Sequence, residues 1–300
     1  MIKQNNKLNN TTKNNLITYG ILIGLFVFAF AMSETGNMSR LMQGLLVPLC
    51  TYSILAVSLN LVVGILGDLS LGHAGFMCVG AYASAFFSVV TEDMIEQSWL
   101  RFLIALLLGG ISAGIFGLII GIPVLRLKGD YLAIVTLAFG EIIKNIVNLL
   151  YVGVDSNGFH ISIKSANDLG LEPDGKMLIK GALGITGTPK DSNFVIGFVL
   201  LLITVVVSLN LINSRTGRAV MSIRDNRIAA QSIGINVTKY KLIIFTISSF
   251  FAGIAGVLYS FSNYTVQSAK FGYNYSIEIL VMVVLGGMGN INGSILAATL

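Results

Sequence analysis

Residues 61–84 read LVVGILGDLSLGHAGFMCVGAYAS, and this stretch decides the fold. It is apolar over most of its length, but it contains five glycines: Gly64, Gly67, Gly72, Gly75 and Gly80. Each glycine inside a helix costs about 1 kcal/mol relative to alanine. The run therefore indicates either a helix broken at membrane depth or helices packed at close backbone contact. Both alternatives place the stretch in the interior of a helical bundle.

A second stretch of the same kind lies near the other end of the sequence. Residues 284–293 read VLGGMGNING, an apolar run interrupted by glycines and small polar residues. Paired interruptions in two halves of a chain point to a transport pathway at the interface between the halves. The alternative is that both stretches are close-packed glycine contacts with no part in a pathway.

The composition around these stretches is that of a membrane protein. Of the 300 residues, 54% are hydrophobic and only 11% are charged, whereas a soluble domain carries roughly 25% charged residues. The net charge of +5 does not indicate a nucleic-acid partner, because the basic residues lie mainly in loops between apolar segments. Cys50 and Cys78 lie within apolar segments without paired spacing, which excludes a disulfide scaffold and a cysteine zinc site.

A membrane-spanning helix needs about 20 mostly apolar residues. Eight segments meet this description: 16–32, 44–66, 70–90, 102–125, 131–153, 194–213, 241–261 and 277–298. The sequence therefore predicts an all-α polytopic membrane protein with about eight spans, whose central helices are discontinuous or rich in glycine.

The positions of the basic residues predict the orientation in the membrane. With a cytoplasmic N-terminus, the inner loops hold eleven Lys and Arg residues and the outer segments hold seven, which agrees with the positive-inside rule. Residues 1–15 are then a cytoplasmic tail, residues 154–193 an external loop and residues 214–240 a cytoplasmic loop. The membrane domain covers residues 16–300.

The cytoplasmic loop 214–240 contains a predicted short helix. Asp225 or Asn226 can cap a helix over residues 227–233, and Gly234 can end it. A helix of two turns is marginal in water. We therefore expect it to pack against this chain or against a partner.

One predicted helix carries a polar face at membrane depth. Glu141, Lys144, Asn145 and Asn148 recur at helical spacing, and Glu141 lies eleven residues after Asp130, or ~16 Å along a helix. This places Glu141 near the middle of the bilayer, with Lys144 one turn away as its expected partner. The pair either belongs to the polar wall of a pathway or is an internal ion pair that fixes helix packing. The residues predicted to line the path are Asn60, Gly64, Gly67, Ser70, Gly72, His73, Gly75, Glu141, Lys144, Gly286, Gly287 and Gly289.

The sequence gives no support for a metal site, for ATP hydrolysis or for a catalytic serine. His73 and His160 lack metal-ligand spacing, so no metal site is predicted and His73 is expected to be structural. Asp68 is expected to cap a half-helix. The sequence has no P-loop motif, so this chain is not expected to hydrolyse ATP. Ser112 lies in a G-x-S-x-G string inside an apolar span, which indicates helix packing rather than a nucleophile.

Four stretches resemble the LivM family of branched-chain amino acid permeases, which are membrane subunits of ATP-binding-cassette (ABC) importers. They are SLNLVVGILGDLSLGHAGF (58–76), LKGDYLAIVTLAFGEII (127–143), TGRAVMSIRDNRIAAQSIGIN (216–236) and MVVLGGMG (282–289). The resemblance implies a bacterial inner-membrane permease subunit for leucine, isoleucine or valine that offers alternating access. It implies four partners besides lipid: a second homologous permease, two ATPase subunits and an external solute-binding protein. No cofactor is expected in this chain, since ATP and Mg²⁺ would bind the ATPases.

The resemblance also implies a role for the cytoplasmic loop. Residues 228–234 (IAAQSIG) match the E-A-A-x-x-x-G spacing of the coupling helix that docks on the ATPase, although Ile228 replaces the acidic residue. The residues implied in coupling are Arg218, Arg224, Asp225, Ala229, Ala230, Ile233 and Gly234. Because the chain ends in an apolar run where relatives continue, we expect a further C-terminal segment.

Three alternatives remain open at this point. In the first, the cargo of the ABC permease is urea or a short amide. In the second, the protein is an ion-coupled secondary transporter that uses Glu141 and Lys144. The third is an intramembrane hydrolase that pairs Ser112 with His73.

Overall fold

The structure is a computed structural model that describes residues 18–20, 22–35, 38–92, 94–127, 129–155, 158–171 and 175–300. The predicted cytoplasmic tail 1–15 lies outside the described residues. Eleven helices are assigned within the described ranges: α1 (Thr18–Glu34), α2 (Arg40–Asn60), α3 (His73–Val90), α4 (Ser98–Val124), α5 (Asp130–Leu149), α6 (Phe194–Asn213), α7 (Arg215–Asp225), α8 (Arg227–Ser232), α9 (Val237–Ser262), α10 (Tyr273–Gly286) and α11 (Ile291–Thr299).

Within the described part of the chain, six helices are long and apolar enough to cross a membrane: α2 with its extension to Leu66, α3, α4, α5, α6 and α9. The predicted segment 194–213 coincides with α6. The shorter apolar helices α1 and α10 cover parts of two further predicted segments. The prediction of a polytopic helical membrane protein is confirmed, while the number of spans stays a prediction.

Three predicted segments differ from the observed helices. Segment 277–298 is two helices, α10 and α11, because left-handed glycines end α10 before α11 begins. The helix predicted over 131–153 is α5, which ends at Leu149 because Tyr151 already belongs to a strand. Segment 70–90 becomes helical only at His73, because the residues before it are not helical.

A small antiparallel sheet departs from the all-α prediction. Its strands are β1 (Tyr151–Asp155), β2 (Gly158–Ser162), β3 (Lys176–Lys180), β4 (Ile185–Thr186) and β5 (Thr265–Val266), in the order β2-β1-β3-β4-β5. Four of these strands follow α5, and β5 follows α9. The predicted external loop is thus partly ordered, and β5 ties it to the bundle. Strands of two to five residues are too short to leave a clear periodic signal.

The bundle centre is the crossing of α3, α4 and α9, which approach one another at glycines. A Cβ atom built on Gly80 of α3 would lie 2.4 Å from the carbonyl oxygen of Gly253 in α9. A Cβ atom on Gly253 would in turn lie 2.6 Å from the carbonyl oxygen of Gly109 in α4. Only residues without a side chain allow backbones to pack this closely.

The two ends of the bundle differ. The sheet follows the C-terminal ends of α5 and α9 and precedes α6. At the opposite end, α7 and α8 connect the end of α6 to the start of α9. These are called the sheet end and the α7–α8 end below.

Candidate functional site

The first glycine-rich stretch contains a broken helix. Helix α2 continues as a π-helix over Leu61–Leu66, which ends at Gly67 in the left-handed conformation with φ +79°. Residues 67–72 are not helical, and α3 starts at His73. Residues 61–72 are called the first interruption. The expected break in the helix is therefore present, although it occupies only the first half of the stretch.

The end of the first interruption and the start of α3 show the other alternative, close backbone packing. A Cβ atom on Gly72 would lie 2.4 Å from the carbonyl oxygen of Thr136, and one on Gly75 would lie 2.7 Å from the Cα of Gly140. The backbone amide of Leu71 donates a hydrogen bond of 3.1 Å to Thr136 Oγ1. These contacts hold the start of α3 against α5.

The second interruption consists of residues 287–290, between α10 and α11. Gly287 and Gly289 have φ of +89° and +86°, where a side chain would strain the backbone. The chain reverses here, since a Cβ atom on Gly286 would lie 2.4 Å from the carbonyl carbon of Gly293. Asn290 caps α11 by accepting a hydrogen bond from Gly293 N.

The two interruptions meet. A Cβ atom on Gly64 would lie 2.1 Å from the backbone nitrogen of Gly289. The fully buried Asn60 side chain joins them, because Oδ1 accepts a hydrogen bond from Gly289 N at 2.8 Å and Nδ2 donates to Ser294 Oγ at 2.9 Å. Sequence positions about 230 residues apart thus form one compact centre.

Arg224 at the end of α7 reaches this centre. Its Nη1 donates a hydrogen bond of 3.0 Å to the carbonyl oxygen of Gly64. Its alkyl chain lies over Gly67, where a Cβ atom would be 2.7 Å from Arg224 Cγ. A Cβ atom on Gly289 would lie 3.9 Å from Arg224 Nη1. From the α7–α8 end, the Arg224 side chain therefore binds the first interruption and lies close to the second.

Three other polar residues considered in the sequence analysis, His73, Ser112 and Ser70, have different surroundings. His73 is buried, and its Nε2 lies 2.7 Å from Ser58 Oγ, so it joins α3 to α2 as a structural histidine. Ser112 donates to the carbonyl oxygen of Gly109 in its own helix, so the pairing that a hydrolase needs is not formed. Buried Ser70 Oγ has no hydrogen-bond partner among the described residues.

Asp68 does not cap a half-helix, contrary to the expectation from sequence. Its carboxylate forms an ion pair with Lys241 of α9, and the N-terminus of α3 has no side-chain cap. Lys241, the first residue of the predicted segment 241–261, is buried. The pairing of residues so far apart in sequence has no local signal.

Within the described ranges, no group of three His, Cys, Asp or Glu side chains is placed to hold a metal ion.

Glu141 and Lys144 pair as expected. Lys144 Nζ lies 2.5 Å from Glu141 Oε2, and the side chains remain 23% and 28% exposed, respectively. Glu141 Oε1 also accepts a hydrogen bond of 2.7 Å from the backbone nitrogen of Tyr273, the first residue of α10. Asn148 on the same face accepts a hydrogen bond from Ser268 Oγ.

The predicted short helix is α8, and its ends are those read from the sequence. Asn226 caps it by accepting a hydrogen bond of 3.0 Å from Ala229 N. Gly234 has φ +86°, and the amides of Gly234 and Ile235 donate to Gln231 O and Ala230 O. This pattern is a Schellman motif.

One residue implied in coupling lies inside the chain rather than on its surface. Ala230 is buried against Ile223 and Val237 of the same chain, so it is not available to a partner. The exposed apolar side chains of this segment are Ile228 and Ile233, at 79% and 75%. Ala229 and Gly234 are also exposed.

Helix α7 was missed by the sequence interpretation. Ser214 caps it, and Val220 and Ile223 form its buried face, a pattern that was readable at helical spacing. Arg218 on α7 donates to the carbonyl oxygen of Asn213 at the end of α6. Arg224 also contacts the Asp225 carboxylate.

Residues 41–300 match the family described as the branched-chain amino acid transport system permease component. The chain belongs to this permease family. The permease is 36% identical over 97% of its chain to the high-affinity branched-chain amino acid transport system permease protein LivM of Salmonella typhimurium, and it covers 67% of that protein. It is 35% identical to LivM of Escherichia coli over the same share.

Relatives of lower identity are also named as branched-chain amino acid transport permeases. A probable branched-chain amino acid transport permease protein LivM of Methanocaldococcus jannaschii is 28% identical over 81% of this chain and 74% of its own. The LivH permease protein of Escherichia coli is 22% identical over 82% of this chain. No solved structure matches the permease. The resemblance read from the sequence is confirmed, and the permease is a multi-pass membrane protein.

Proposed function

We propose that this permease is the transmembrane subunit of an ATP-driven importer of branched-chain amino acids. The observation that carries the proposal is the hydrogen bond from Arg224 to Gly64 in the first interruption, which itself packs against Gly289 of the second. This hydrogen bond connects the segment that resembles a coupling helix to the two interruptions, which pack against each other at Gly64 and Gly289. Relatives named as branched-chain amino acid permeases support the cargo.

The orientation follows from this function. The α7–α8 end faces the cytoplasm and the sheet end faces outward, as the distribution of basic residues predicts. ATP and Mg²⁺ bind to two separate ATPase subunits, because the sequence has no P-loop of its own. An external binding protein delivers the amino acid, and a second homologous permease completes the membrane part.

The exposed face of α8 is the docking contact for the ATPase. Ile228 and Ile233 project from a water-facing helix, where isolated apolar side chains of this size gain by burial in a groove. Helix α8 is only six residues long, and its own contacts with Ile223 and Val237 hold it in place. A docked ATPase would then move α7 and α8 as a unit.

Movement of α7 reaches the membrane centre through Arg224. Because Arg224 is hydrogen-bonded to Gly64 and lies against Gly67, a shift of α7 acts on the π-helix directly. Asn60 transmits the shift to Gly289 and Ser294. The left-handed glycines of the second interruption are positions where the backbone can change direction. This chain of contacts is a physical route from ATPase closure to alternating access.

The test is isolation of the intact protein with its native partners, followed by uptake measurements in proteoliposomes. The proposal expects a second permease and P-loop ATPases to co-purify, and leucine uptake to require both ATP and the binding protein. Uptake of urea but not leucine would replace the cargo. Transport by the permease alone, driven by an ion gradient and insensitive to ATP, would overturn the importer proposal in favour of a secondary transporter.

A further inference from the structure

The Glu141–Lys144 pair lies at membrane depth on an open face of the molecule. Glu141 is eleven residues past the start of α5, ~16 Å along the helix. Both charged side chains remain about a quarter exposed. The next residue of the face, Asn145, is exposed as well.

This face does not suit contact with lipid. Charged side chains at the middle of the bilayer face the interior of a bundle or a water-filled cavity. Helix α5 is the least buried of the six long helices. Its polar face therefore borders a water-filled path or a second membrane subunit, rather than hydrocarbon.

The two charges are held differently. Glu141 is fixed from two sides, since Oε2 pairs with Lys144 and Oε1 accepts the hydrogen bond from Tyr273 N. Among the described residues, Glu141 is the polar partner of the Lys144 ammonium. If a cation replaces Lys144, the Glu141 carboxylate keeps its position, and the flexible Lys144 side chain is released toward the open face.

A free amino acid carries the same two charges. Its ammonium and carboxylate must both leave bulk water when it crosses the membrane, and each unpaired charge would be costly there. The partly exposed Glu141 carboxylate and Lys144 ammonium, one helical turn apart, offer a partner to each. The single Glu141–Lys144 ion pair is replaced by two ion pairs, one at each end of the substrate, so no charge is left unpaired in the bound state.

We infer that Glu141 and Lys144 are the site where the permease recognises the main chain of its amino acid substrate. Glu141 binds the substrate ammonium and Lys144 binds the substrate carboxylate, and the two residues pair again when the substrate has left. The inference rests on the proposed function and adds a defined substrate site to it. It also explains why a charged pair persists on an exposed face at this depth.

A charge exchange separates this role from a structural one. The double variant Glu141→Lys with Lys144→Glu keeps an ion pair, with the two charges exchanged. Its carboxylate no longer lies beside Tyr273 N, and the positions that would bind the substrate ammonium and carboxylate are interchanged. The full transporter with its partners is reconstituted, and ATP-dependent leucine uptake is measured. Glu141→Gln, Lys144→Met and the exchanged variant are each expected to lower uptake at least tenfold.

The controls address folding and the surrounding surface. Co-purification of each variant with the ATPases shows that the permease is folded and assembled. Ile146→Ala removes an exposed uncharged side chain from the same helix and should keep uptake within twofold of the unmodified transporter. Lys144→Arg keeps the charge and should keep more uptake than Lys144→Met.

Recovery of at least half of the uptake in the exchanged variant, or near-normal uptake in both single variants, would show that the pair is only structural. Absence of ATP-dependent leucine uptake by the unmodified transporter would instead refute the proposed function. The two failures are therefore distinguishable in one set of measurements.

Discussion

Arg224 donates a hydrogen bond from Nη1 to the carbonyl oxygen of Gly64, at 3.0 Å. The two residues are 160 positions apart in the sequence. In a regular α-helix this carbonyl would accept from a backbone amide four residues later, but the π-helix changes the pairing in this turn. The guanidinium group thus binds directly to the segment where α2 loses its regular geometry.

We expect Arg224→Gln to uncouple transport from ATP hydrolysis. The shorter side chain loses the guanidinium hydrogen bond to Gly64 O but keeps the carbon atoms that lie against Gly67. Movement of α7 therefore no longer reaches the π-helix through that hydrogen bond. Uptake should fall at least tenfold, while the assembled complex still hydrolyses ATP. The matched control is Arg215→Gln on the same helix, since Arg215 is exposed and lies at the opposite end of α7 from Arg224. Equal losses in both variants would contradict the route through Arg224.

Gly64→Ala should destabilise the permease. The added Cβ would lie 2.1 Å from Gly289 N and 1.9 Å from Asn60 Oδ1, and overpacking of this kind costs about 1–3 kcal/mol. Thermal unfolding in detergent should show a lower midpoint. Gly44→Ala, earlier in the same helix with nothing near its Cβ position, should be neutral or slightly stabilising because alanine favours helix. A midpoint unchanged by Gly64→Ala would refute the observed contact.

Ile228→Asp should weaken association with the ATPase without affecting the fold. The side chain is exposed in the isolated permease, so the change costs little until a partner must bury the charge. The expected result is a loss of most co-purified ATPase at an unchanged unfolding midpoint. Leu183→Asp is the control, because Leu183 is similarly exposed but lies at the sheet end. ATPase recovery that is normal for Ile228→Asp would place the docking face elsewhere.

Gly234→Leu should reduce both transport and ATPase association while the membrane helices stay folded. The left-handed conformation at φ +86° costs a side-chain-bearing residue roughly 1–2 kcal/mol, which opens the C-terminal end of α8. Gly234→Asn should be milder, since asparagine tolerates this conformation. Gly187→Leu carries the same backbone strain at the sheet end, where space is also open. If its effect on ATPase association equals that of Gly234→Leu, the effect is not specific to α8.

Several features were predictable because they depend on neighbours in sequence. Asn226 begins α8 and Gly234 ends it, as predicted from the sequence, because capping residues bond to backbone groups within one helical turn. The ion pair of Glu141 with Lys144 follows from their spacing on one helix. Helix α7 was missed although its pattern is local, because the loop was interpreted from a single motif.

The amino-acid sequence alone shows that this chain lies in lipid, where its glycine-rich interruptions fall and which family it belongs to. These properties follow from composition, periodicity and local motifs. Only the tertiary structure decided that Asn60 joins Gly289, that Asp68 pairs with Lys241 and that Ala230 faces inward. Such contacts depend on how whole helices pack, and the packing is set by the summed contacts of many side chains rather than by any local signal.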